Sequence, residues 1–144
     1  MVVRRTAHTV YNLQYHFVFV PKYRRMIFRD AESSRLTELV YEIGERYEFT
    51  VEEIGVSEAH VHLFLSAPPR YSPARIANVI KSITAKQLRL EFPRIKKVLW
   101  GGEVWERGYY VGSCGDAVTA DMIQRYVAYH HHEEKGPVQL TLFE

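Results

Sequence analysis

Two histidines separated by one apolar residue are the feature of this sequence with the clearest chemical potential. His60 and His62 flank Val61 in a segment, 60–66, whose composition is typical of a strand. Side chains at positions i and i+2 of a strand point to the same face, so both imidazoles would face one way. Two neutral imidazoles side by side supply half of a metal site. The same spacing also suits two histidines that only form hydrogen bonds on an exposed sheet face.

A tyrosine and a further histidine lie near the end of the chain. Tyr126 and His130 are four residues apart in a segment, 120–134, that is expected to form a helix capped by Thr119. Residues four apart share a helix face, so a phenol and a third imidazole could converge on the metal of the histidine pair. Tyr126 also lies on the most apolar face of that helix, where a core tyrosine would lie. Both interpretations stay open on spacing alone.

Other catalytic signatures are missing from the sequence. It has no Gly-rich phosphate loop, no Cys-x-x-Cys pair and no Gly-x-Ser-x-Gly elbow. Glu52 and Glu53 are adjacent, so in a regular strand they would point to opposite faces and could not pair as acid and base. The single cysteine, Cys114, excludes an internal disulfide and fits a reducing, cytoplasmic compartment. Its Gly-rich turn favours a small structural residue over a thiol nucleophile.

The elements that must position these residues follow the order β-α-β-β-α-β and then a helix. Asp30 or Ser33 is expected to cap the first helix, and the short joint 57–59 predicts a hairpin. This order predicts an α+β, ferredoxin-like or RRM-like fold, in which an antiparallel sheet carries its helices on one face and a C-terminal helix carries Tyr126. Strands are predicted over 9–20, 49–56, 60–66 and 104–112, and helices over 30–47, 72–92 and 120–134.

Length and composition limit the class of protein. The 144 residues fit one domain, expected over 1–134, followed by a tail over 135–144. With 47% hydrophobic and 25% charged residues, the composition is that of an ordinary soluble globular protein. The apolar runs are too short to cross a bilayer and the start lacks a secretory signal, so no membrane partner is expected. The net charge of +2 leaves the partner open.

Several segments together resemble the single-tyrosine HUH transposases, of the TnpA type, that belong to IS200-like insertion sequences. HUH stands for His-hydrophobic-His. Each segment is modest alone, but their order and spacing make the resemblance specific over nearly the whole length. The matching segments are Tyr15-His-Phe-Val-Phe-Val-Pro-Lys-Tyr-Arg-Arg25, His60-Val-His-Leu-Phe64, Trp105-Glu-Arg-Gly-Tyr-Tyr-Val-Gly112 and Ile123-Gln-Arg-Tyr126-Val.

The resemblance implies an enzyme that excises and inserts an insertion sequence by cutting and rejoining single-stranded DNA. His60 and His62 match the family's metal pair, and Tyr126 matches its nucleophile. The implied cofactor is Mg²⁺ or Mn²⁺, and the implied intermediate is a 5′-phosphotyrosine. The tyrosine would attack a phosphate held by the metal, release a 3′-hydroxyl and keep the phosphodiester energy for rejoining.

Two positions depart from the family pattern. His130 stands where the family usually has a Gln as the third metal ligand, and an imidazole there would shift the preference from Mg²⁺ toward Mn²⁺. Ala59 stands where the family usually has an Asp before the first histidine. Glu58 could take over the orienting role of that Asp, or the role could be absent.

The implied nucleic-acid partner is single-stranded DNA with hairpins near the element ends. Basic side chains would contact its phosphates, and aromatic rings could stack on unpaired bases. For each of them an ordinary surface cation or core aromatic is an equal alternative. The predicted DNA contacts are Lys22, Tyr23, Arg24, Arg25, Arg75, Lys86, Arg89 and Arg107, and further candidates for stacking are Tyr71, Trp105 and Tyr109.

The resemblance also implies a homodimer that joins two sheets edge to edge, in which the tyrosine of one chain often completes the histidine site of the other. In the tail, the apolar residues of Gln139-Leu-Thr-Leu-Phe143 resemble the short motif that docks bacterial DNA-handling proteins on the replication sliding clamp. The predicted contacts are Gln139, Leu140, Leu142 and Phe143. The alternative is that the tail folds back on its own dimer.

Three other functions stay open at this point. A non-catalytic, RNA-recognition-like module would bind single strands without metal and form no covalent product. A domesticated relative would process repeated genomic palindromes without moving an element of its own. A small metallohydrolase would cleave without a protein-linked intermediate. The combined resemblance favours the transposase over all of them.

Overall fold

The computed structural model describes residues 3–22, 28–57, 59–98 and 103–113. The predicted C-terminal helix, 120–134, with Tyr126 and His130, and the tail 135–144 lie outside the described residues. The elements in chain order are β1 Arg4–Arg5, β2 Val10–Tyr11, β3 Gln14–Phe19, α1 Asp30–Tyr47, β4 Thr50–Val56, β5 Val61–Ser66, α2 Pro73–Glu91, α3 Pro93–Val98 and β6 Tyr110–Ser113.

The main sheet has the strand order β4-β5-β3-β6, and all neighbouring strands run antiparallel. β5 lies between β3 and β4, so these two strands run in the same direction and α1 connects them across the sheet. The second connection, through α2, brings the chain from β5 to β6 at the other edge. This is the ferredoxin-like arrangement, and the predicted fold class is confirmed.

Two predicted strands differ from the structure. The strand expected over 9–20 is interrupted at Asn12, a residue that disfavours strands, so β2 pairs with β1 and only β3 joins the main sheet. The strand expected over 104–112 is restricted to β6, preceded by an isolated bridge between Trp105 and Pro21. Gly108, with φ 79°, turns the chain between the bridge and β6, so regular pairing resumes only after it.

α1 and α2 begin and end close to the predicted positions. Ser72 caps α2, because its side chain accepts a hydrogen bond of 3.0 Å from the backbone N–H of Arg75. For α1, neither Asp30 nor Ser33 is the cap, since the N-cap is Arg29 and no side chain accepts a hydrogen bond there. Asp30 instead lies in the first turn, where its charge suits the helix dipole. No helix in the described part of the chain is long and apolar enough to cross a membrane.

The hydrophobic core lies between the two long helices and one face of the sheet. Alternate residues of the central strands, Phe17 in β3 and Leu63 and Leu65 in β5, have no exposed surface and belong to one cluster with α1 and α2. Each such side chain contributes about 1.5–3 kcal/mol on burial. A slip of one residue would move all of them to the other face, so the core fixes the register of the sheet.

A bulge in β4 changes which of its residues face the core. Val51 pairs with Leu65 but Glu53 pairs with Phe64, so Glu52 is an extra residue in the strand. Val51 and Ile54 therefore both pack against the core although they are three residues apart. As a result Glu53 and Gly55 lie on the opposite face of the sheet.

Candidate functional site

The sheet face opposite the helices carries the candidate site. Because Phe17 and Leu63 point to the core, their strand neighbours point the other way. We call this side the histidine face, and its members in the described part of the chain include His16, Glu53, Gly55, His60, His62 and Phe64.

The predicted histidine pair lies together on this face. Val61 is 2% exposed and belongs to the core, whereas His60 and His62 are half-buried on the other side. Their ring centroids are 5.9 Å apart and the ring planes are inclined at 61°. The pair therefore shares a face, as the spacing predicts, with no bond between the rings.

Ser57 holds the ring of His60. Its Oγ lies 3.4 Å from His60 Nδ1 and donates to the carbonyl oxygen of His60 over 3.0 Å. The backbone N–H groups of Ala59 and His60 donate to the same Oγ, which closes the turn before β5. The ring of His60 therefore lies against a hydroxyl group that is itself fixed by three hydrogen bonds to the backbone of the turn.

His62 depends on a glycine in the neighbouring strand. Gly55 pairs with His62, and a Cβ atom on Gly55 would lie 2.1 Å from Nε2 of the imidazole. Only a residue without a side chain leaves room for the ring in this position. The carboxylate of Glu53, two residues before Gly55, reaches to 4.0 Å from the same nitrogen.

His16, a third imidazole, lies beside the pair. Its ring stacks on Phe64 at 4.1 Å and its centroid is 6.0 Å from that of His62. It is 1% exposed, and neither ring nitrogen has a hydrogen-bond partner. Sequence reasoning assigned it no role, although its alternation with Phe17 and Phe19 in β3 would have placed it on the histidine face.

The environment favours the neutral form of His16 and His60. Burial, followed by the positive charges that His62 and His60 would carry, lowers the pKa of His16 to about 4. Burial, followed by the proximity of His62, also lowers the pKa of His60. Neutral imidazoles have the free lone pair that metal binding requires.

The donor set on this face fits a divalent ion. Two neutral imidazoles suit Mn²⁺ and later first-row metals better than Mg²⁺, which prefers oxygen. Within the described ranges, no three side chains of His, Cys, Asp or Glu already surround one point. On their own, His60 and His62 would offer two donors to such an ion, and further donors would have to join them.

The predicted DNA contacts fall on different parts of the molecule. Lys22 forms a 2.8 Å ion pair with Glu103 at the surface. Arg75 and Lys86 are exposed on α2, and Arg107 is exposed in the segment before β6. Arg89 and Arg107 line an open hollow of about 360 Å³ between α2 and that segment. Tyr23, Arg24, Arg25 and Glu58 lie outside the described residues.

Lys81, to which the sequence assigned no role, lines this hollow and links its two sides. Its Nζ donates to the carbonyl oxygens of Glu106 and Gly108 over 2.9 and 2.8 Å. Burial lowers the pKa of Lys81, although Glu106 and Glu103 oppose the shift. This lysine therefore binds the segment before β6 to α2.

Three of the aromatic residues proposed for stacking on bases, Tyr71, Trp105 and Tyr109, pack fully or partly against the core, and Tyr23 lies outside the described residues. Trp105 is 6% exposed and its indole N–H donates to Thr84 Oγ1 over 3.1 Å. The rings of Phe19 and Phe28 lie beside it. Tyr109 packs against the core, and the ring of Tyr71 contacts Phe49 on one side while Arg70 lies over it at 4.9 Å. Trp105 is thus a core residue: its ring packs against other aromatic rings, and its indole N–H has a partner in the interior.

A ferredoxin-like sheet that presents a His-hydrophobic-His pair opposite its helices defines a protein of the HUH class. The family model described as IS200-like transposase matches residues 9–130. The chain belongs to this family of tyrosine transposases, and the resemblance noted in the sequence is confirmed.

Individual relatives agree with this assignment. The chain is 30% identical to the transposase of insertion sequence element IS200 from Salmonella typhimurium, over 94% of this chain and 88% of the relative. It is 29% identical to the ISDra2 transposase TnpA of Deinococcus radiodurans, over 87% and 89% of the two chains. The protein is therefore an enzyme of DNA transposition, and DNA is its partner.

Solved structures share the fold. A crystal structure of a candidate transposase from Deinococcus radiodurans has a TM-score of 0.79 and 26% identity, covering 88% of this chain and 96% of that one. A REP-associated tyrosine transposase bound to a REP hairpin has a TM-score of 0.53 and 16% identity, covering 92% and 68%. The second likeness concerns the fold alone.

Replacing Gly55 by Ala should displace the His62 ring without unfolding the chain. Gly55 does not have a positive φ, so alanine suits its backbone, but the new methyl would overlap the imidazole. Misplacement of a site residue by about 1 Å can cost on the order of a hundredfold in function. We expect Mn²⁺ affinity, measured by calorimetry, to fall at least tenfold while the melting temperature changes little.

The matched control is Gly112→Ala, where the added Cβ would meet the hydroxyl of Tyr110 rather than a histidine. This variant should retain Mn²⁺ affinity within a few-fold. Equal losses in both variants would show that the effect belongs to the sheet as a whole and not to the His62 ring.

Proposed function

We propose that this transposase cleaves and rejoins single-stranded DNA through a covalent bond to Tyr126. The observation that carries the proposal is the pair of imidazoles, His60 and His62, held on the open face of the sheet. The family match extends to residue 130, so it includes the segment of the proposed nucleophile. The reaction excises and inserts an insertion sequence.

His60 and His62 would hold a divalent metal, Mn²⁺ or Mg²⁺, with His130 as a further ligand. When bound, the metal supplies a Lewis acid that polarises the scissile phosphate. The protein contributes the orientation: the turn at Ser57 positions the ring of His60, and Gly55 lets the ring of His62 lie against β4. Burial and the proximity of His62 lower the pKa of His60, which favours the neutral form that binds a cation.

The chemical step exchanges one phosphate ester for another. The phenolic oxygen of Tyr126 forms a bond to phosphorus as the bond from phosphorus to the 3′-oxygen breaks. The phenol gives up its proton, and the departing 3′-oxygen gains one to become a 3′-hydroxyl. Because the ester is retained on the tyrosine, a 3′-hydroxyl of another strand can reverse the step and join the DNA. The exchange needs no ATP.

The DNA would be bound through phosphate contacts from α2 and the segment before β6. Arg75, Lys86 and Arg89 contribute positive charge along α2, and Arg107 contributes it in the segment before β6. Such contacts position a strand without reading its sequence. We propose hairpins at the element ends as the recognised structures, a view in keeping with the relative in fold that is bound to a REP hairpin.

Removing the hydroxyl of Tyr126 should abolish the covalent product. Tyr126→Phe keeps the ring, so folding and DNA binding should persist, while the covalent adduct with 3′-labelled single-stranded DNA should disappear from a denaturing gel. Tyr129→Phe, three residues away, is the matched control and should retain the adduct. An adduct of undiminished yield in Tyr126→Phe would refute the assignment of the nucleophile.

We further propose that the enzyme works as a homodimer with shared sites. In the described part of the chain, β4 and β6 are the edges of the sheet, and an edge strand can pair with a second copy. If the tyrosine acts across the dimer, mixing Tyr126→Phe with His60→Ala chains should restore part of the cleavage, because one site is then whole. Absence of recovery in verified heterodimers would show that each chain supplies its own tyrosine.

The tail is proposed to dock on the replication sliding clamp. An extended peptide would place Leu140, Leu142 and Phe143 against an apolar cleft, with Gln139 forming hydrogen bonds beside it. Burial of each apolar side chain would contribute about 1.5–3 kcal/mol before ordering costs, which gives a micromolar affinity at best. Clamp binding would bring the enzyme to the single strands that lagging-strand synthesis exposes.

A labelled peptide of residues 135–144 should bind the purified clamp in a fluorescence titration, and Leu142→Ala with Phe143→Ala should abolish the binding. A peptide with Thr141→Ala, which keeps all apolar contacts, is the control and should bind as before. No binding at high micromolar clamp would leave the tail as an internal latch.

A further inference from the structure

We propose that Glu53 is a ligand of the metal held by His60 and His62, an inference that rests on the metal centre of the proposed function. Sequence reasoning examined Glu53 only as half of an acid–base pair with Glu52. The structure places it on the histidine face, at the edge of the site, with its carboxylate directed toward His62.

The bulge in β4 brings Glu53 to this position. In a regular strand, the core position of Val51 would put Glu53 on the core face as well. Because Glu52 is the extra residue, Glu53 instead pairs with Phe64 and lies beside the histidines. Glu52 has a different partner, since its carboxylate contacts Arg4 at 3.5 Å. The two adjacent carboxylates are thereby separated into different surroundings.

The distances suit a shared ion better than a direct bond. Glu53 Oε1 and His62 Nε2 are 4.0 Å apart, beyond the range of a hydrogen bond. Bonds from a divalent ion to nitrogen or oxygen are about 2.0–2.2 Å, so one ion can reach both atoms. Gly55, two residues after Glu53 on β4, lets the ring of His62 lie against this strand, because any side chain there would overlap Nε2. The imidazole is thereby brought close to the strand that carries Glu53.

The chemistry of the site also calls for a carboxylate. An imidazole binds a metal in its neutral form, so the two histidines would offer no charge to balance a divalent ion, and Mn²⁺ and Mg²⁺ favour oxygen ligands. The side chain of Glu53 is 66% exposed, which lets it turn toward an ion without disturbing the core. His130 can complete the same coordination, so the two assignments are compatible.

The test is Mn²⁺ binding to the full-length protein without DNA, measured by calorimetry. Glu53→Ala should weaken binding by at least about tenfold, because even groups outside the coordination sphere change metal affinity by about 10–100-fold. Glu52→Ala is the matched control and should stay within about twofold of the wild type. Thermal unfolding of each variant checks that the fold is intact.

A second variant separates ligation from mere orientation of His62. Glu53→Cys offers a thiolate, which prefers Zn²⁺ over Mn²⁺. We expect its ratio of Zn²⁺ to Mn²⁺ affinity to rise at least tenfold above that of Glu53→Ala, with Glu52→Cys unchanged. A carboxylate that only orients the ring would give the same ratio in Glu53→Cys and Glu53→Ala, and that result would overturn the proposal.

The outcome for the histidines distinguishes this inference from the proposed metal centre. If His60→Ala and His62→Ala lose Mn²⁺ binding while Glu53→Ala retains it, the metal centre stands and the role of Glu53 is refuted. If the histidine variants bind Mn²⁺ as the wild type does, the metal centre itself fails and Glu53 fails with it.

Discussion

The burial of one face of β5 is the constraint on which the site depends. Val61, Leu63 and Leu65 are buried in the core, so strand geometry directs His62 to the other side. A shift of one residue would place imidazoles in the core and leucines in solvent, at a cost of several kcal/mol. The hydrophobic effect thus fixes the direction of the histidines without any contact to them. The geometry of the candidate site follows here from packing on the reverse face of the sheet.

β4, the strand next to β5, is irregular in a way that suits this arrangement. It must bury Val51, Ile54 and Val56, which do not share a single alternation, and the bulge at Glu52 allows it. The same bulge places Glu53 and Gly55 on the histidine face. Glu53 brings a carboxylate near His62, and Gly55, which has no side chain, leaves room for the His62 ring. One extra residue, Glu52, therefore allows β4 both to pack against the core and to present Glu53 and Gly55 on the histidine face. The turn after β4 contains Ser57, which contacts His60.

The fold and the histidine pair could be predicted from the sequence because they depend on periodicity. Alternation in β5 and the helical repeat in α2 are properties of single segments, and they were sufficient for the order of elements. The position of Glu53 on the histidine face could not be predicted, since it depends on a bulge that is visible only against its partner strand. The burial of Trp105 likewise depends on Thr84, a residue distant in sequence. The positions of Glu53 and Trp105 are set by contacts between distant segments, and the periodicity of a single segment does not reveal them.

One residue of the histidine face, His16, lowers the stability of the fold. His16 is buried without a hydrogen-bond partner, and an unsatisfied polar group of this kind costs about 1–3 kcal/mol. The lowered pKa of His16 also makes the fold less stable in acid, because the unfolded chain binds the proton more readily than the folded one. The free energy of unfolding therefore falls as the pH decreases from about 6.5 toward 4. A phenylalanine stacked on Phe64 would avoid both penalties. An imidazole kept neutral beside His62 makes physical sense where a cation, or the phosphate it holds, offers the missing interaction.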